Sequence, residues 1–277
     1  MKKILVVGMM ALGASAFGIE MQNIAHRGMW DKQVPQNTVE SIKRAYDAGA
    51  TWVETDFWHV KCGLIVCMHM QGELSSQALT KTKVMDLTAE DLATLNLGAR
   101  DKLEKPYRIP TLEQVLAVVP KDCGVLQAEI KGYSPQYADL FDKAVAAAGL
   151  TEKNIVVSSF HYDALKDFKA RYPKYRTVWL SGLKVKKGKS FDVKPYIAQC
   201  KAANIEVFCP GCGSAKVMTP ADADAVRAAG LEFRLYGVNS KKDLERAKAL
   251  GAVGFTCNYW KDAFGWADEV GGVTLKK

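Results

Sequence analysis

Short hydrophobic runs alternate with longer amphipathic segments along most of the chain. Each amphipathic segment ends on small residues and then Gly or Asn, after which the next hydrophobic run begins. Gly and Asn tolerate the left-handed backbone conformation that closes a helix. The pattern therefore predicts helices that each return to a strand, and it recurs at Gly49, Gly149, Asn204, Gly230 and Gly251.

Eight of the hydrophobic runs are predicted to be strands of one sheet. They are Ile24–His26, Val53–Phe57, Leu126–Ile130, Ile155–Ser158, Thr177–Leu180, Glu206–Cys209, Phe233–Tyr236 and Gly254–Cys257. Eight alternating strands and helices over roughly 250 residues favour a (β/α)8 TIM barrel, an α/β fold, as one domain over residues 20–277. An open doubly wound sheet is the alternative, but no Gly-x-Gly-x-x-Gly motif follows the first strand.

Two features interrupt the regular alternation after the second strand. The hydrophobic run Leu64–Met68 follows a Lys-Cys-Gly turn and is predicted to pair back as a small hairpin. Residues 70–110 contain little strand signal, and we expect them to form an insertion or lid on the barrel.

The first residues have the layout of a secretory signal peptide. Lys2 and Lys3 precede the hydrophobic run Ile4–Leu12, and Ala14-Ser15-Ala16 offers a small-x-small cleavage site. This favours removal of residues 1–16, with cleavage near Ala16, over a buried first strand or helix. We expect an exported protein, periplasmic or secreted, without a transmembrane helix, because the hydrophobic run is too short to span a bilayer.

The net charge of the chain narrows the classes of partner that it would bind. The 277 residues carry a formal charge of +8, which suits an anionic substrate or membrane face but is too diffuse to indicate nucleic acid.

Seven cysteines leave one without an intramolecular partner in an exported chain. Cys209-Pro-Gly-Cys212 lacks the second pair that a structural zinc needs, so a local disulfide or two buried thiols are expected.

The stretch from Trp52 to His69 carries the first candidate chemistry. Glu54 and Asp56 lie two apart in a predicted strand, so their side chains share one face. Two acids on one face repel each other unless a cation lies between them or one keeps its proton. His69 follows at the end of the return strand, so the stretch predicts a metal beside a proton-transfer group.

Further polar residues occupy the ends of other predicted strands. His26 and Arg27 end the first strand, and Glu129 and Lys131 lie two apart at the end of the next barrel strand. The carboxyl ends of barrel strands meet at one face, where active sites of this fold lie. Three acids, two histidines, an arginine and a lysine are therefore expected at one mouth. His59 is expected outside it, and His161, which follows Ser159-Phe160, could lie at its edge without a functional role.

These motifs together resemble the glycerophosphodiester phosphodiesterase family, whose barrels are similar to those of phospholipase C. His69 falls thirteen residues after Asp56, a spacing typical of the family, and the resemblance covers nearly all of the chain after the signal peptide. It rests on His26-Arg27-Gly28, Pro35–Thr38, Val53–Asp56, His69, Ile109–Leu112 and Ala128–Lys131, with weaker landmarks at Ser158–Phe160, Tyr236–Asn239 and Cys257–Trp260.

The resemblance implies a site and a reaction. Glu54, Asp56 and Glu129 would bind one divalent cation, and oxygen ligands suit Mg²⁺ or Ca²⁺. The resemblance makes His26 and His69 the acid and base, and Arg27 and Lys131 the groups that neutralise the phosphodiester. Tyr236, Trp30 and Trp58 are candidates for an apolar wall of the substrate site, with core packing as the alternative for each.

The implied activity is hydrolysis of a small-molecule glycerophosphodiester to glycerol 3-phosphate and an alcohol. The chain departs from the family pattern at Met70, where Asp usually follows the histidine, at Cys62 in the hairpin turn and at the Cys257–Trp260 motif. Three alternatives stay open: a phospholipase-like enzyme acting on phosphoinositides or sphingophospholipids, a non-catalytic binder of phosphodiesters, and a redox role through Cys209 and Cys212.

Overall fold

A computed structural model describes residues 18–185 and 190–277, and the predicted signal peptide lies outside these residues. The strands are β1 (Ile19–His26), β2 (Trp52–His59), β3 (Ile65–Cys67), β4 (Val125–Gly132), β5 (Ile155–Ser159), β6 (Arg176–Ser181), β7 (Val207–Pro210), β8 (Glu232–Phe233), β9 (Gly254–Cys257) and β10 (Val273–Lys276). The α-helices are α1 (Val39–Asp47), α2 (Gln71–Gln77), α3 (Ala89–Thr94), α4 (Leu112–Leu116), α5 (Tyr137–Ala147), α6 (Tyr162–Arg171), α7 (Lys194–Ala202), α8 (Pro220–Ala228), α9 (Lys241–Ala249) and α10 (Asp262–Val270).

Eight parallel strands form a nearly closed barrel with helices outside it, which confirms the predicted fold. Strand pairing runs from β1 through β2 and β4 to β8. β9 pairs with β1, and a single bridge between Leu235 and Phe255 links the region after β8 to β9. All eight predicted strands are present, although β8 is shorter than its hydrophobic run suggested.

The register of the strands places the candidate site. His26 lies beside Glu54 across β1 and β2, and Asp56 lies beside Glu129 across β2 and β4. The carboxylates predicted from separate strands are therefore direct lateral neighbours. The barrel interior is filled with small aliphatic side chains, namely Val156, Val178, Leu180, Val207 and Cys209.

The segment after β2 forms a separate packed unit. β3 pairs antiparallel with β2, as the predicted hairpin requires. Residues 70–110 contain α2, α3 and a 3-10 turn at Val84–Asp86. Their side chains, Leu74 and Leu87 among them, pack with Val66 and Met68 of the hairpin into a hydrophobic cluster distinct from the main core.

The last strand was not predicted. β10 pairs in parallel with Ile19–Gln22, the start of β1. Its four residues alternate in burial, and so short an alternation gives almost no sequence signal.

All seven cysteines are free thiols in the structure. Cys209 and Cys212 are buried, so the choice left open by the sequence resolves to two buried thiols. Burial raises the pKa of both thiols to about 12, which disfavours the thiolate that disulfide exchange needs.

Within residues 18–185 and 190–277, none of the helices combines the length and apolar character that crossing a bilayer requires.

Candidate active site

A cavity of about 200 Å³ opens at the carboxyl ends of the barrel strands. Polar side chains from β1 to β4 line one side, and aromatic and aliphatic side chains from later strands line the other. The lining residues are His26, Arg27, Glu54, His69, Gln127, Glu129, Lys131, Phe160, Leu180, Tyr236 and Thr256. Seven of the eight predicted site residues are in this set, and the eighth, Asp56, lies against the same carboxylates.

The turn after β1 directs Arg27 into the cavity. Arg27 and Gly28 both have positive φ, at 63° and 79°. A Cβ atom on Gly28 would lie 2.5 Å from the carbonyl of Ser41, so only glycine fits against the start of α1. The Arg27 side chain then extends across the mouth, where its NH1 group donates to Gln36 Oε1 and Glu73 Oε1 at 3.0 Å each.

Glu54, Asp56 and Glu129 form a buried carboxylate triad. Each offers one oxygen, and these oxygens lie within 4.8 Å of one another. Glu54 Oε1 has no hydrogen-bond partner among the described residues. An unpaired buried carboxylate oxygen is costly, whereas three converging oxygens suit a hard divalent cation. The side chains present therefore fit the metal that the family resemblance implies.

Two basic side chains partly neutralise the triad. Lys131 Nζ lies 2.6 Å from Glu129 Oε1 and 3.3 Å from Asp56 Oδ1, and Arg27 Nε lies 3.4 Å from Asp56 Oδ2. Burial alone would raise the pKa of Asp56, but Lys131 and Arg27 hold it below its usual value. Burial and the charge of Asp56 raise the pKa of Glu54 well above normal and that of Glu129 to about 8.

The raised carboxyl pKa values predict how the stability of the metal-free protein depends on pH. A folded-state pKa of about 8 for Glu129 means that the folded protein binds more protons than the unfolded chain between pH 7 and pH 8. Stability must then fall as pH rises through this window, by up to about 1.4 kcal/mol per pH unit for each such carboxyl. Thermal unfolding in the presence of a chelator measures this effect.

Added Mg²⁺ or Ca²⁺ should raise the unfolding temperature more at pH 8 than at pH 7, because the carboxylates must lose their protons to bind a cation. The Glu129→Gln variant serves as the control, and its metal-free stability should vary less over the same window. A metal-free stability that rises from pH 7 to pH 8 would contradict the assignment of the raised pKa values.

The two histidines have different partners. His26 Nδ1 lies 2.5 Å from the amide oxygen of Asn258, and His26 Nε2 lies 3.7 Å from Glu54 Oε2. Burial, and next the charge of Arg27, lower the pKa of His26 to about 4. His69 Nδ1 instead lies 2.7 Å from a carboxylate oxygen of Glu73. His26 is thus held neutral, whereas a carboxylate binds the Nδ1 atom of His69.

The apolar wall of the cavity differs from the prediction. Phe160 and Tyr236 pack edge to face with ring centroids 5.1 Å apart, and Lys131 Nζ lies 5.5 Å from the Phe160 ring. Tyr236 is where the sequence placed it. Trp30 and Trp58 are not in the wall: Trp30 lines a separate groove, and Trp58 packs with the hydrophobic cluster of the insertion.

Sequence reasoning missed several side chains that position the site. The pattern Asn37-Thr-Val-Glu40 is typical of a helix cap at Asn37, but Thr38 caps α1 through Ser41, and the Asn37 amide donates to Asp56 Oδ2 at 2.8 Å. Asn258 had been noted only as part of a weak landmark motif. Glu73 lies four residues after His69, a spacing that joins side chains where the chain is helical, but no helix was predicted there. His59 lies outside the cavity, as expected, and His161 does not line it either.

Fold and cavity together define the class: a (β/α)8-barrel enzyme whose strand ends combine two histidines with a carboxylate triad. The sequence profile of the glycerophosphoryl diester phosphodiesterase family matches residues 26–261. The chain therefore belongs to this family, and it is a phosphodiesterase.

Known proteins agree with this assignment. A glycerophosphodiester phosphodiesterase of Bacillus subtilis is 26% identical over 257 residues, which cover 85% of this chain and 83% of that protein. The fold is shared with a glycerophosphodiester phosphodiesterase from Parabacteroides distasonis, with a TM-score of 0.71, 21% identity, and 90% and 97% of the two chains covered. It is also shared with an Oleispira antarctica phosphodiesterase in complex with its product sn-glycerol-3-phosphate, with a TM-score of 0.74, 19% identity, and 89% and 96% covered.

Proposed function

We propose that the protein hydrolyses glycerophosphodiesters to sn-glycerol 3-phosphate and an alcohol, using one divalent cation and two histidines. The observation that carries this proposal is the joint placement of His26, His69 and the carboxylate triad around one cavity. The product bound to the Oleispira antarctica phosphodiesterase supports the choice of product.

Glu54, Asp56 and Glu129 would hold the cation, which we propose to be Mg²⁺ or Ca²⁺ because every ligand atom is a carboxylate oxygen. When bound, the cation supplies Lewis-acid stabilisation for the negative charge that grows on the phosphoryl oxygens. Arg27 and Lys131 add positive charge from the protein at the same mouth. Contacts with the triad carboxylates already hold both side chains in place, so these side chains need to move little when the phosphodiester binds.

The two histidines divide the proton transfers. His26 is neutral at physiological pH, and its Nδ1 is bonded to Asn258, which leaves Nε2 to accept the proton of the attacking hydroxyl or water. His69 is bonded to Glu73 through Nδ1, so its Nε2 is the nitrogen free to donate a proton to the leaving alcohol. Each transfer typically contributes about 10²- to 10⁴-fold to the rate.

The size of the cavity bears on the substrate. At about 200 Å³ it is smaller than the roughly 300–1,000 Å³ of sites that enclose larger ligands. Phe160 and Tyr236 form a short apolar wall that suits the carbon face of a glycerol unit. This favours a deacylated glycerophosphodiester over an intact phosphoinositide or sphingophospholipid.

A substrate panel with controlled metal tests the proposed function. We expect glycerophosphocholine, glycerophosphoethanolamine and glycerophosphoinositol to be hydrolysed faster than phosphatidylinositol or sphingomyelin, with the alcohol and glycerol 3-phosphate released. Treatment with EDTA should reduce turnover to background, and Mg²⁺ or Ca²⁺ should restore it, because the triad lacks its charge-neutralising ion.

Two outcomes of the panel would contradict the proposal. Full activity in EDTA after exhaustive dialysis would exclude the metal role of the triad. Tight binding of glycerophosphodiesters without turnover at any metal concentration would instead identify a non-catalytic binder.

We also propose that the enzyme acts after export, in the periplasm or outside the cell. The support is the signal-peptide pattern of residues 1–16. Sequencing the N-terminus of the protein recovered from these compartments tests this, and an intact Lys2–Lys3 segment there would contradict it.

A further inference from the structure

A fourth acidic side chain reaches the cavity from the insertion. Glu73 lies in the first turn of α2, four residues after His69. Its Oε1 atom lies 2.7 Å from His69 Nδ1 and 3.0 Å from Arg27 NH1. One carboxylate oxygen therefore joins a histidine from the end of the hairpin to an arginine from the end of β1.

Glu73 differs from the three carboxylates of the triad. It is not among the side chains whose oxygens converge, and about a quarter of its side chain is exposed. His69 and Arg27 both hold its pKa below the usual value despite partial burial, so the carboxylate is charged. Its contacts are thus made to residues that would touch the substrate and not to the ligands of a cation.

The contacts of His69 within the described residues show why this carboxylate matters. His69 follows β3 directly, and its imidazole is bonded through Nδ1 to Glu73 alone. Arg27, in contrast, is also held by Asp56 and Gln36. Loss of Glu73 would therefore release the His69 ring, whereas Arg27 would keep two of its three partners.

We propose that Glu73 is the positioning residue for His69, and that it fixes which ring nitrogen faces the phosphodiester. A proton on Nδ1 donates to Glu73 Oε1, so Nε2 is the nitrogen directed to the cavity. Carboxylates that bind the far nitrogen of a functional histidine fix its tautomer and ring orientation in this way. The catalytic part of this role rests on the proposed function of His69, whereas the orientation of the ring does not.

Kinetics of Glu73 variants test the role in turnover. Glu73→Ala should lower kcat on glycerophosphocholine by about 10- to 100-fold with little change in KM. The kcat of Glu73→Gln should fall less, because the side-chain oxygen of glutamine can still accept a hydrogen bond from His69 Nδ1. Glu90→Ala, which removes an exposed glutamate from α3 in the same insertion, is the matched control and should match the wild type.

A double-mutant comparison separates positioning from a general structural effect. When Glu73→Ala is added to His69→Ala, kcat should fall by less than a further factor of about three, because the ring that Glu73 orients is already gone. The proposal would be overturned if Glu73→Ala lowered kcat in the His69→Ala variant as much as it does in the wild type, with thermal unfolding unchanged.

Imidazole NMR provides a readout that does not depend on activity. The chain has four histidines, so single substitutions can assign each ring in long-range ¹H–¹⁵N spectra. The His69 Nδ1 proton should give a protected resonance in the wild type and in Glu90→Ala, and it should disappear in Glu73→Ala. If it persists there, the proposed positioning is wrong. If it disappears but no diester is hydrolysed by the wild type, the proposed function fails while the orienting contact stands.

Discussion

Replacing Glu54 by glutamine is expected to reduce hydrolysis of glycerophosphocholine by at least about 10³-fold, measured as choline released at saturating Mg²⁺ or Ca²⁺. A bound cation stabilises a phosphoryl transition state by several kcal/mol, and each 1.36 kcal/mol is a factor of ten in rate. Glu54 is almost fully buried, and its Oε1 atom has no hydrogen-bond partner within residues 18–185 and 190–277. The substitution keeps the shape of the side chain but removes the charge that the cation needs.

The same variant should not be less stable than the wild type when metal is absent. Repulsion from Asp56 and Glu129 opposes the ionised form of Glu54, together with burial. A neutral amide relieves that repulsion, so the metal-free unfolding temperature should stay equal or rise. Glu232→Gln is the matched control: Glu232 begins β8 at the opposite end of the barrel, and its substitution should leave turnover unchanged. Turnover of Glu54→Gln within tenfold of the wild type would exclude Glu54 as a metal ligand.

The two expected effects have opposite signs, because in the proposed role the triad provides the cation site and lowers the stability of the metal-free fold. The three carboxylates lie on adjacent strands whose register leaves them no way to separate. Lys131 offsets only part of the cost of burying Glu129, since burial and the charge of Asp56 still raise the pKa of Glu129 to about 8. Functional sites commonly trade stability for activity in this manner.

The barrel and the catalytic strand ends were predictable because both depend on short-range patterns. Helices ended by Gly or Asn and followed by hydrophobic runs define the alternation of strands and helices. The period of two along a strand places Glu54 with Asp56, and Glu129 with Lys131, on common faces. Parallel strands in a barrel then bring these faces to one end, so the convergence of the triad follows without knowledge of any side-chain contact.

The positioning residues were not predictable in the same way. Asn37 precedes a Thr that also caps helices, and only the packed structure shows that Thr38 caps α1 while Asn37 bonds Asp56. Glu73 reaches His69 because the chain turns into α2 directly after His69, which brings side chains four residues apart together. The sequence predicted no helix at that point of residues 70–110. Phe160 enters the wall through an exposed loop position, which sequence patterns treat as surface.

The position of Glu73 also bears on the departure of this chain from its family pattern. Met70 stands where the pattern has an acidic residue directly after the histidine, and Met70 is largely exposed. Three residues later, Glu73 places a carboxylate on His69. An acidic residue beside this histidine is therefore present in the fold although it is missing from the motif.

Alanine variants of the two histidines proposed to be catalytic should differ in how their activity depends on the leaving group of the substrate. His26→Ala should lose about 10²- to 10⁴-fold on glycerophosphocholine and a similar factor on a p-nitrophenyl phosphodiester, since a base is needed for both. His69→Ala should lose a comparable factor on glycerophosphocholine. On the p-nitrophenyl ester, the decrease in rate caused by His69→Ala should be at least about tenfold smaller, because nitrophenolate leaves without needing a proton.

The predicted difference between the two variants follows from the different surroundings of the His26 and His69 rings. Burial and the nearby Arg27 disfavour a charged His26, which suits a base, whereas the bond between His69 Nδ1 and the Glu73 carboxylate leaves His69 Nε2 to donate a proton. His161→Ala is the control, because His161 is exposed at the start of α6 and should match the wild type on both substrates. The reverse pattern, in which His26→Ala is rescued by the better leaving group, would exchange the two roles. Equal losses for both variants on both esters would show that neither histidine protonates the leaving alcohol.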